Sequence, residues 1–431
     1  MKALLLTFLF VFNLSAQESL TVVAVGEAEV EKETIEFVKP KISFKTNPRQ
    51  ASEVKEIYSI VNEDFAFYKH KYSLEVPTIG NANYKVSIIF NDFKNVKVEV
   101  VNTVDSARSS SLTIPINSKN IITTAHNVAD KIYESMTGDK SIFKSKIVFV
   151  SDRTSNGRKT KKELYIMDFD GRRKQRLTYT NSLIISPSLS PDNTKLMYSA
   201  IESKWKKSSR GTPHKVKNLN VYIMDLATKK TTLISELDGM NSGAVFSADG
   251  KDIYLTLSLA KNADIYKINL ATRKRTQITT HFLDDVDPHI NKAGDQLTFL
   301  SGRSGKAMIY TMDPRGIEKN IKRISYVGRF NAAPRFSPDG AEIVFASWVD
   351  DLFDIYKIDS NGDNLVRLTK NSGSNEEPSF SPDGQFIVYS SQKVISRKKA
   401  VQNIVIMNRE GEIIKQITDN YGKSYTPRWS N

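Results

Sequence analysis

The chain has 431 residues, of which 39% are hydrophobic and 26% charged, so it is long enough for two or more folded domains. It contains no cysteine, which excludes disulfides, thiol catalysis, cysteine-ligated metals and a lipoprotein anchor. Its formal net charge of +14 suits a nucleic acid, an anionic membrane surface or an acidic protein as partner.

The first predicted element is a secretory signal peptide in residues 1–16. Lys2 supplies the charged start, residues 3–14 form an apolar core, and Ser15-Ala16 is a suitable cleavage site. The apolar core is too short to span a bilayer comfortably. The sequence therefore predicts an exported protein that is peripheral to the membrane, and a retained N-terminal anchor is the alternative.

Residues 17–140 are predicted to form a small α/β domain with an N-terminal arm. An amphipathic helix over residues 49–65 follows the helix-start signal Asn47-Pro48. Period-two alternation predicts strands farther along the chain, at residues 84–92, 95–103 and 111–116.

A second helix is predicted over residues 117–138. Its apolar residues recur at 3.6-residue spacing, Asn117 or Ser118 is its expected cap, and Gly138 ends it. His126 lies on this helix and is predicted to be a surface or capping residue rather than a metal ligand.

From residue 141 onward one phrase recurs. PRFSPDGAEIVFAS begins at Pro334 and PSFSPDGQFIVYSS at Pro378, and each is followed by a strand-like segment, DIYKID or NIVIMN, and then by VRLT or KQIT. Related copies begin at Pro187, Ala244 and Pro288, with a truncated copy at Pro427. A period of about 44–57 residues with four short strands per unit is typical of a propeller blade, and a β-sandwich with similar hairpins is the alternative.

The two ends of the repeat region complement each other. The second, third and fourth strands of a unit first occur at Ile147, Glu163 and Gln175 without a first strand, and a first strand without followers begins at Pro427. Pairing these ends would remove open sheet edges. The predicted fold is therefore α+β and multidomain, a small N-terminal α/β domain followed by a six-bladed β-propeller over residues 141–431, closed by the C-terminal strand.

Charge is predicted to be divided across one propeller face. Three basic runs, at residues 153–162, 204–217 and 393–399, lie between the second and third strands of the first, second and sixth units. Acidic residues of the same face gather in the other units, at Asp284, Asp285, Asp287, Asp350, Asp351, Asp354, Glu376 and Glu377. Solvated loops are the alternative. Nucleic acid is not expected, because the basic loops have few interleaved aromatic residues and the chain is exported.

Catalytic motifs are absent from the sequence. It has no GxSxG elbow, no Walker A spacing and no HExxH. Carboxylate pairs such as Glu376-Glu377 lie at loop tips, where solvation or partner binding is favoured over acid–base chemistry. His289 is the one histidine expected beside the central channel. We therefore predict no enzyme activity, no cofactor and no metal site, although no pattern settles whether an ion enters the channel.

Several motifs together resemble the TolB family, the periplasmic propellers of the Tol-Pal envelope system. They are the junction HNVADKIYESMTGDKSIFKSKIVFVSDR at residues 126–153, the six SPDG-type repeats and the terminal TPRWS. The resemblance covers essentially the whole mature chain. It implies a monomeric binding protein of the periplasm that binds the peptidoglycan-associated lipoprotein Pal over the propeller mouth and TolA through its N-terminal arm. Outer-membrane integrity and constriction at cell division are the implied roles, and other outer-membrane lipoproteins or porin-like proteins are further candidate partners.

The resemblance also implies site residues. Pal contacts are expected in the loops before the first strand of each unit, at Asn241, Asp285, Asp287, His289, Arg329, Asn331, Asn375, Glu376, Glu377 and Tyr425. TolA contacts are expected at Glu18, Leu20, Val22, Val23 and Val25, although this arm lacks the Gly-Arg-Pro-Ile-like stretch of the family.

Two other functions stay open at this point. A glycan- or peptide-binding propeller without Tol partners is the nearer alternative. A propeller enzyme would need ionisable groups converging on the channel, where the first strands offer His289, Arg335 and Arg428.

Overall fold

The computed structural model describes residues 33–38, 48–74, 82–90, 94–156, 160–207, 211–259, 262–397 and 399–430. The predicted signal peptide and the predicted TolA-binding arm lie outside these residues. Among the helices of the described ranges, none combines the length and the apolar character that crossing a membrane would need.

The N-terminal region is a five-stranded sheet with two helices. The helices are α1 (Pro48–Phe65) and α2 (Ile121–Thr137). The strands are β1 (Glu33–Val38), β2 (Tyr72–Ser73), β3 (Tyr84–Ile89), β4 (Asn95–Asn102) and β5 (Ser110–Pro115). They lie in the order β2-β1-β3-β4-β5, in which β1 pairs with both neighbours in parallel and the other pairs are antiparallel.

Both predicted helices and all three predicted strands are present, with two corrections. The sequence analysis did not predict β1 and β2, although β1 lies inside the sheet. The cap of α2 is Asn120, whose side chain accepts a hydrogen bond from the Thr123 amide at 3.0 Å, rather than Asn117 or Ser118. Gly138 ends the helix with a φ of +78°, which a glycine adopts without strain.

The described residues after α2 form six antiparallel four-stranded sheets. Sheet 1 is β29 (Ser424–Trp429), β6 (Lys146–Ser151), β7 (Glu163–Asp168) and β8 (Gln175–Arg176). Sheet 2 is β9 (Leu183–Leu189), β10 (Lys195–Lys207), β11 (Pro213–Asp225) and β12 (Thr231–Ser235). Sheet 3 is β13 (Asn241–Phe246), β14 (Asp252–Leu257), β15 (Asp264–Asn269) and β16 (Arg275–Gln277).

The other three sheets repeat this order. Sheet 4 is β17 (Asp285–Ile290), β18 (Leu297–Ser301), β19 (Met308–Met312) and β20 (Lys322–Arg323). Sheet 5 is β21 (Asn331–Phe336), β22 (Glu342–Val349), β23 (Leu352–Asp359) and β24 (Val366–Arg367). Sheet 6 is β25 (Ser374–Phe380), β26 (Phe386–Ser396), β27 (Lys399–Asn408) and β28 (Ile413–Gln416).

The first strand of each sheet, here called the inner strand, contacts the inner strands of the two neighbouring sheets. Sheet 1 takes its inner strand β29 from the C-terminus, where Trp429 pairs with Ile147 of β6. The predicted β-propeller fold is confirmed by this arrangement. We call one end of the sheets the mouth face. It carries the links between second and third strands and the links from each fourth strand to the next inner strand. The opposite end is the base face.

The SPDG phrase forms the turn between the first and second strands. The Ser337 hydroxyl donates to Asp339 and accepts from the Glu342 amide at 2.9 Å, and Gly340 has a φ of +75°. The same serine contacts recur at Ser190, Ser247 and Ser381. The repeated phrase is therefore a self-contained hydrogen-bonded turn.

A hydroxyl at the end of the VRLT- or KQIT-like segment accepts a hydrogen bond from the third strand in five of the six sheets. The segment of sheet 3, TQIT, ends at Thr279. Thr279 follows β16 and its hydroxyl accepts from the buried Ile265 amide of β15 at 2.9 Å. It also reaches Asp264, whose carboxyl has its pKa raised to about 6 by burial. The equivalent hydroxyls accept from the third strand of their own sheets, at Thr178, Ser325, Thr369 and Thr418.

Thr279→Val is expected to lower the free energy of unfolding by about 1–3 kcal/mol, because it leaves a buried amide without an acceptor. Thr279→Ser keeps the hydroxyl and should cost clearly less. Denaturant unfolding of the two variants checks this, and equal losses would show that the hydroxyl contributes nothing.

The N-terminal domain packs on the base face. The Tyr68 hydroxyl donates to Asp383 in the first turn of sheet 6 at 2.6 Å, and Lys69 pairs with Glu412 in the third-to-fourth strand turn of that sheet at 2.9 Å. Tyr68 is fully buried and one hydrophobic cluster runs from α1 and α2 into sheets 1 and 6. This placement leaves the mouth face uncovered by the described part of the N-terminal domain.

Candidate protein-binding mouth

Each inner strand carries an irregularity near the mouth. Five non-glycine residues and Gly243 occupy equivalent positions with a φ between 45° and 60°. The non-glycine residues are Ser186, Asp287, Ala333, Glu377 and Thr426. The register with the second strand shifts at each of these positions, which marks a β-bulge. A strained bulge repeated in every sheet indicates that the backbone of the mouth is fixed in shape by the fold.

Two ion pairs join inner strands of adjacent sheets. Arg335 of sheet 5 binds Asp287 of sheet 4 at 3.0 Å, and Arg428 of sheet 1 binds Glu377 of sheet 6. Both arginines are buried. Burial opposes ionisation of Glu377, but Arg428 and Arg335 outweigh it and hold the pKa of Glu377 below its ordinary value. Two guanidinium groups and two carboxylates balance one another here.

His289 lies beside these pairs as a neutral side chain. Its Nδ1 accepts a hydrogen bond from the Phe336 amide at 3.2 Å. Burial, with further contributions from Arg335 and Arg428, lowers the pKa of His289 well below its ordinary value. The prediction that His289 lies on an inner strand is confirmed, and its hydrogen bond to the next sheet gives it a structural role.

Four of the predicted Pal-contact residues have buried side chains with partners inside the fold: Asn241, Asp285, Asn331 and Asn375. Asn241 bonds to Ser235 and Leu237, Asp285 pairs with Arg303 at 2.8 Å, and Asn331 and Asn375 bond to Ser325 and Ser372. These side chains tie each inner strand to its neighbouring loops because a polar group at the start of a buried strand needs an internal partner.

The other predicted contact residues lie nearer the surface. Arg329 is exposed, and Glu376 and Tyr425 are half-buried. The Lys162 ammonium lies 3.8 Å from the centre of the Tyr425 ring. Burial raises the pKa of Glu376. With Asp287 and Glu377 these residues remain candidates for partner contact.

The sequence analysis missed the exposed apolar side chains of the mouth. Phe282 is 78% and Tyr326 72% exposed, and both lie in links that lead to inner strands. Phe330, Met240 and Leu283 lie in the same kind of link and are also exposed. A large apolar patch on a surface marks an interaction site. In the sequence, these positions show only a single aromatic residue next to polar residues, as in HFLDD and GRFNA.

A second cluster lies at the interface between the N-terminal domain and sheet 1. His126 is buried rather than exposed, which corrects the prediction that it is a surface or capping residue. Its Nδ1 lies 2.8 Å from Asp64 of α1, and its Nε2 lies 3.6 Å from Asp168 and 3.9 Å from Asp170. The residue was misjudged because its partners come from distant parts of the chain.

Three residues of the same cluster could supply ligands to a metal ion. Asp64, His126 and Asp170 offer ligand atoms that all lie within 4.8 Å of one another. However, Arg172 already pairs with Asp170, and Arg173 pairs with Asp168 at 2.5 Å. Burial lowers the pKa of His126, but hydrogen bonds to Asp168 and Asp64 outweigh this and raise it to about 9. A protonated imidazole therefore supplies the positive charge, and the arrangement is an ion-pair network.

The family model described as "TolB beta propeller domain" matches residues 133–431. The chain is 27% identical over 262 residues to the Tol-Pal system protein TolB of Francisella tularensis subsp. tularensis (strain FSC 198), which covers 59% of this chain and 56% of that protein. The chain is also 27% identical over 262 residues to the Tol-Pal system protein TolB of Francisella tularensis subsp. holarctica (strain OSU18). This alignment covers 59% of this chain and 57% of that protein. The chain thus spans little more than half the length of these curated relatives.

Solved structures show the same fold. TolB from Acinetobacter baumannii superposes with a TM-score of 0.74 at 23% identity, covering 93% of this chain and 97% of that chain. A chain of the nidogen/laminin complex superposes with a TM-score of 0.51 at 11% identity, covering 67% of this chain and 98% of that one. At these identities the likeness establishes the fold alone.

Proposed function

The chain belongs to the TolB β-propeller family, and from this membership we propose that it is the protein-binding component of a Tol-Pal system in the periplasm. In this role it binds the lipoprotein Pal at the mouth face and supports outer-membrane integrity and envelope constriction at division. It acts by binding and not by catalysis. The observation that carries the proposal is the group of exposed apolar side chains around an ion-paired mouth.

The physical argument rests on rigidity and exposure. Aromatic side chains such as Phe282, Tyr326 and Phe330 are the residue types that dominate protein interfaces. The bulged inner strands hold them on a fixed frame, so that little conformational entropy is lost on binding. The charged groups below them are paired with each other, as with Arg335 and Asp287, which favours recognition over acid–base chemistry.

We further infer that the six sheets form one closed ring of six blades. The contacts between successive inner strands, including those of β29 with β25 and with β9, support this closure. A closed ring has no free sheet edge and presents all six links at one mouth. Closure of the ring explains why sheet 1 takes its inner strand, β29, from the C-terminal end of the chain.

The N-terminal arm is proposed to contact TolA through residues 17–28, which lie outside the described residues. Occupancy of the arm and of the mouth would then be reciprocally coupled. Deletion of the arm should change the affinity for Pal, and an unchanged affinity would exclude the coupling.

Phe282→Ala is expected to weaken binding of the soluble domain of the host's Pal by at least tenfold, because truncation of an exposed aromatic anchor commonly costs about 2 kcal/mol or more. Titration calorimetry of the purified protein measures this. Val104→Ala is the control, because Val104 is equally exposed at 78% but belongs to the N-terminal domain on the base face. Equal effects of both substitutions would remove the mouth as the site, and absence of binding by the unaltered protein would remove the proposed function.

A further inference from the structure

We propose that two cationic hairpins on the mouth face dock the protein onto the anionic surface of a lipid bilayer. The hairpins join β10 to β11 in sheet 2 and β26 to β27 in sheet 6. This inference goes beyond the proposed function and does not rest on it.

Both hairpins project beyond the other sheets. Strands β10 and β11 have 13 residues each and β26 and β27 have 11 and 10, whereas β14 and β15 of sheet 3 have 6 each. At about 3.3 Å per residue, the extra residues add roughly 23 Å in sheet 2 and roughly 13–17 Å in sheet 6 beyond the strands of sheet 3. In sheet 5, which neighbours sheet 6, β22 and β23 have 8 residues each, so the projection there is smaller. The described ends of these strands can therefore meet a flat surface before the rest of the mouth face does.

The projecting parts are basic and contain no carboxylate. Residues 203–219 and 387–407 include no aspartate or glutamate. The exposed cations with described side chains are Lys207, Lys215, Lys217, Lys393, Arg397 and Lys399. Sheets 2 and 6 flank sheet 1, since the inner strand β29 contacts both β9 and β25. The two hairpins thus form one positively charged arc on the mouth face.

Apolar side chains accompany the cations. Trp205 is 71% exposed and pairs across the hairpin with Lys215. Ser203 pairs with Lys217 and Lys207 with Pro213, so these lysines share the face of Trp205. At the other hairpin Val394 is 75% and Ile395 60% exposed. These three exposed apolar residues lie on the same two hairpins as the cations.

This combination fits a bilayer interface. Tryptophan rests at the level of lipid headgroups, aliphatic side chains enter the acyl boundary, and lysine and arginine neutralise anionic headgroups. A single-stranded nucleic acid would instead be bound by several stacked aromatic residues along a groove, and each hairpin offers one aromatic residue or none within residues 203–219 and 390–402. Binding of an acidic protein without binding to anionic vesicles is the outcome of the test below that excludes the bilayer.

The test is co-sedimentation of the purified protein with vesicles of phosphatidylcholine alone or of an equimolar mixture with phosphatidylglycerol. We expect binding to the mixed vesicles that weakens as salt concentration rises. The combined Lys207→Gln, Lys215→Gln and Lys217→Gln variant should bind roughly a hundredfold more weakly, because each lysine near the surface contributes roughly fivefold. Trp205→Ser alone should also weaken binding severalfold.

The matched control removes the same charge from the base face, in Lys230→Gln, Lys251→Gln and Lys274→Gln, and should bind like the unaltered protein. Thermal unfolding verifies that each variant is folded. Equal losses in both triple variants would show a net-charge effect and overturn the proposal. If soluble polyphosphate competes with the vesicles and Trp205→Ser has no effect, the surface binds polyanions in general and the proposal is overturned. Absence of binding to the mixed vesicles would also overturn the proposal.

Discussion

A chain that ends at Lys423 is expected to lose cooperative folding. Removal of residues 424–431 deletes β29, the inner strand of sheet 1, and exposes the edge of the buried strand β6. It also deletes Trp429, which is buried, donates to the Ser145 hydroxyl at 2.7 Å and stacks on Phe386. Loss of a buried tryptophan alone costs about 3–5 kcal/mol, and the whole stability of a typical domain is about 5–15 kcal/mol.

Circular dichroism during thermal unfolding, with gel filtration, measures this effect. A chain shortened by Asn431 alone is the control and should unfold like the full chain. Trp429→Ala is an intermediate variant that should stay folded with a lowered midpoint. A cooperative transition of the 423-residue chain near the midpoint of the full chain would contradict the pairing of the two chain ends.

Replacement of His126 by alanine has the second largest expected effect, a loss of about 3–5 kcal/mol at pH 7. The substitution leaves Asp64, which is fully buried, without its charged partner at the interface of the N-terminal domain and sheet 1. His214→Ala is the control, since that histidine is exposed on a hairpin and its loss should change stability by less than about 0.5 kcal/mol.

The pH dependence distinguishes an ion pair from simple packing. The pKa of His126 is about 9 in the fold against about 6.5 in the unfolded chain, so its contribution is complete below about pH 6.5 and is lost as pH rises through 9. Burial raises the pKa of Asp64 to about 6, so Asp64 is already ionised at pH 7. Between pH 7 and 10 the gap in unfolding free energy between the unaltered protein and His126→Ala should therefore narrow by roughly 2–3 kcal/mol. A constant gap would show that His126 contributes packing alone.

The propeller region was readable from the sequence because its signals are local. Ser337, Asp339 and Gly340 build their turn with partners a few residues away, and the copies with Ser190, Ser247 and Ser381 repeat the same serine contacts. The strand β1 was missed because ETIEFV mixes acidic with apolar residues and its pairing partners β2 and β3 lie far along the chain.

The candidate site was only partly readable, because residue type does not reveal burial. Asn331 and Asp285 were chosen as polar loop residues, yet each is sequestered by a partner, Ser325 or Arg303, from another segment. Phe282 was passed over because a single apolar residue in a loop carries no periodicity, and only its exposed fraction in the fold reveals it. His126 shows the same limit, since Asp64 reaches it only when α1 packs on α2, and Asp168 only when the propeller docks on the N-terminal domain.

The most direct measurement of the central claim is amide hydrogen exchange of the protein with and without the soluble domain of Pal. We predict slower exchange in the links to the inner strands, at residues 239–243, 283–287 and 329–332, and unchanged exchange in the base-face turns at 247–251 and 337–341. Protection confined to the base face, or no protection at saturating Pal, would contradict binding at the mouth.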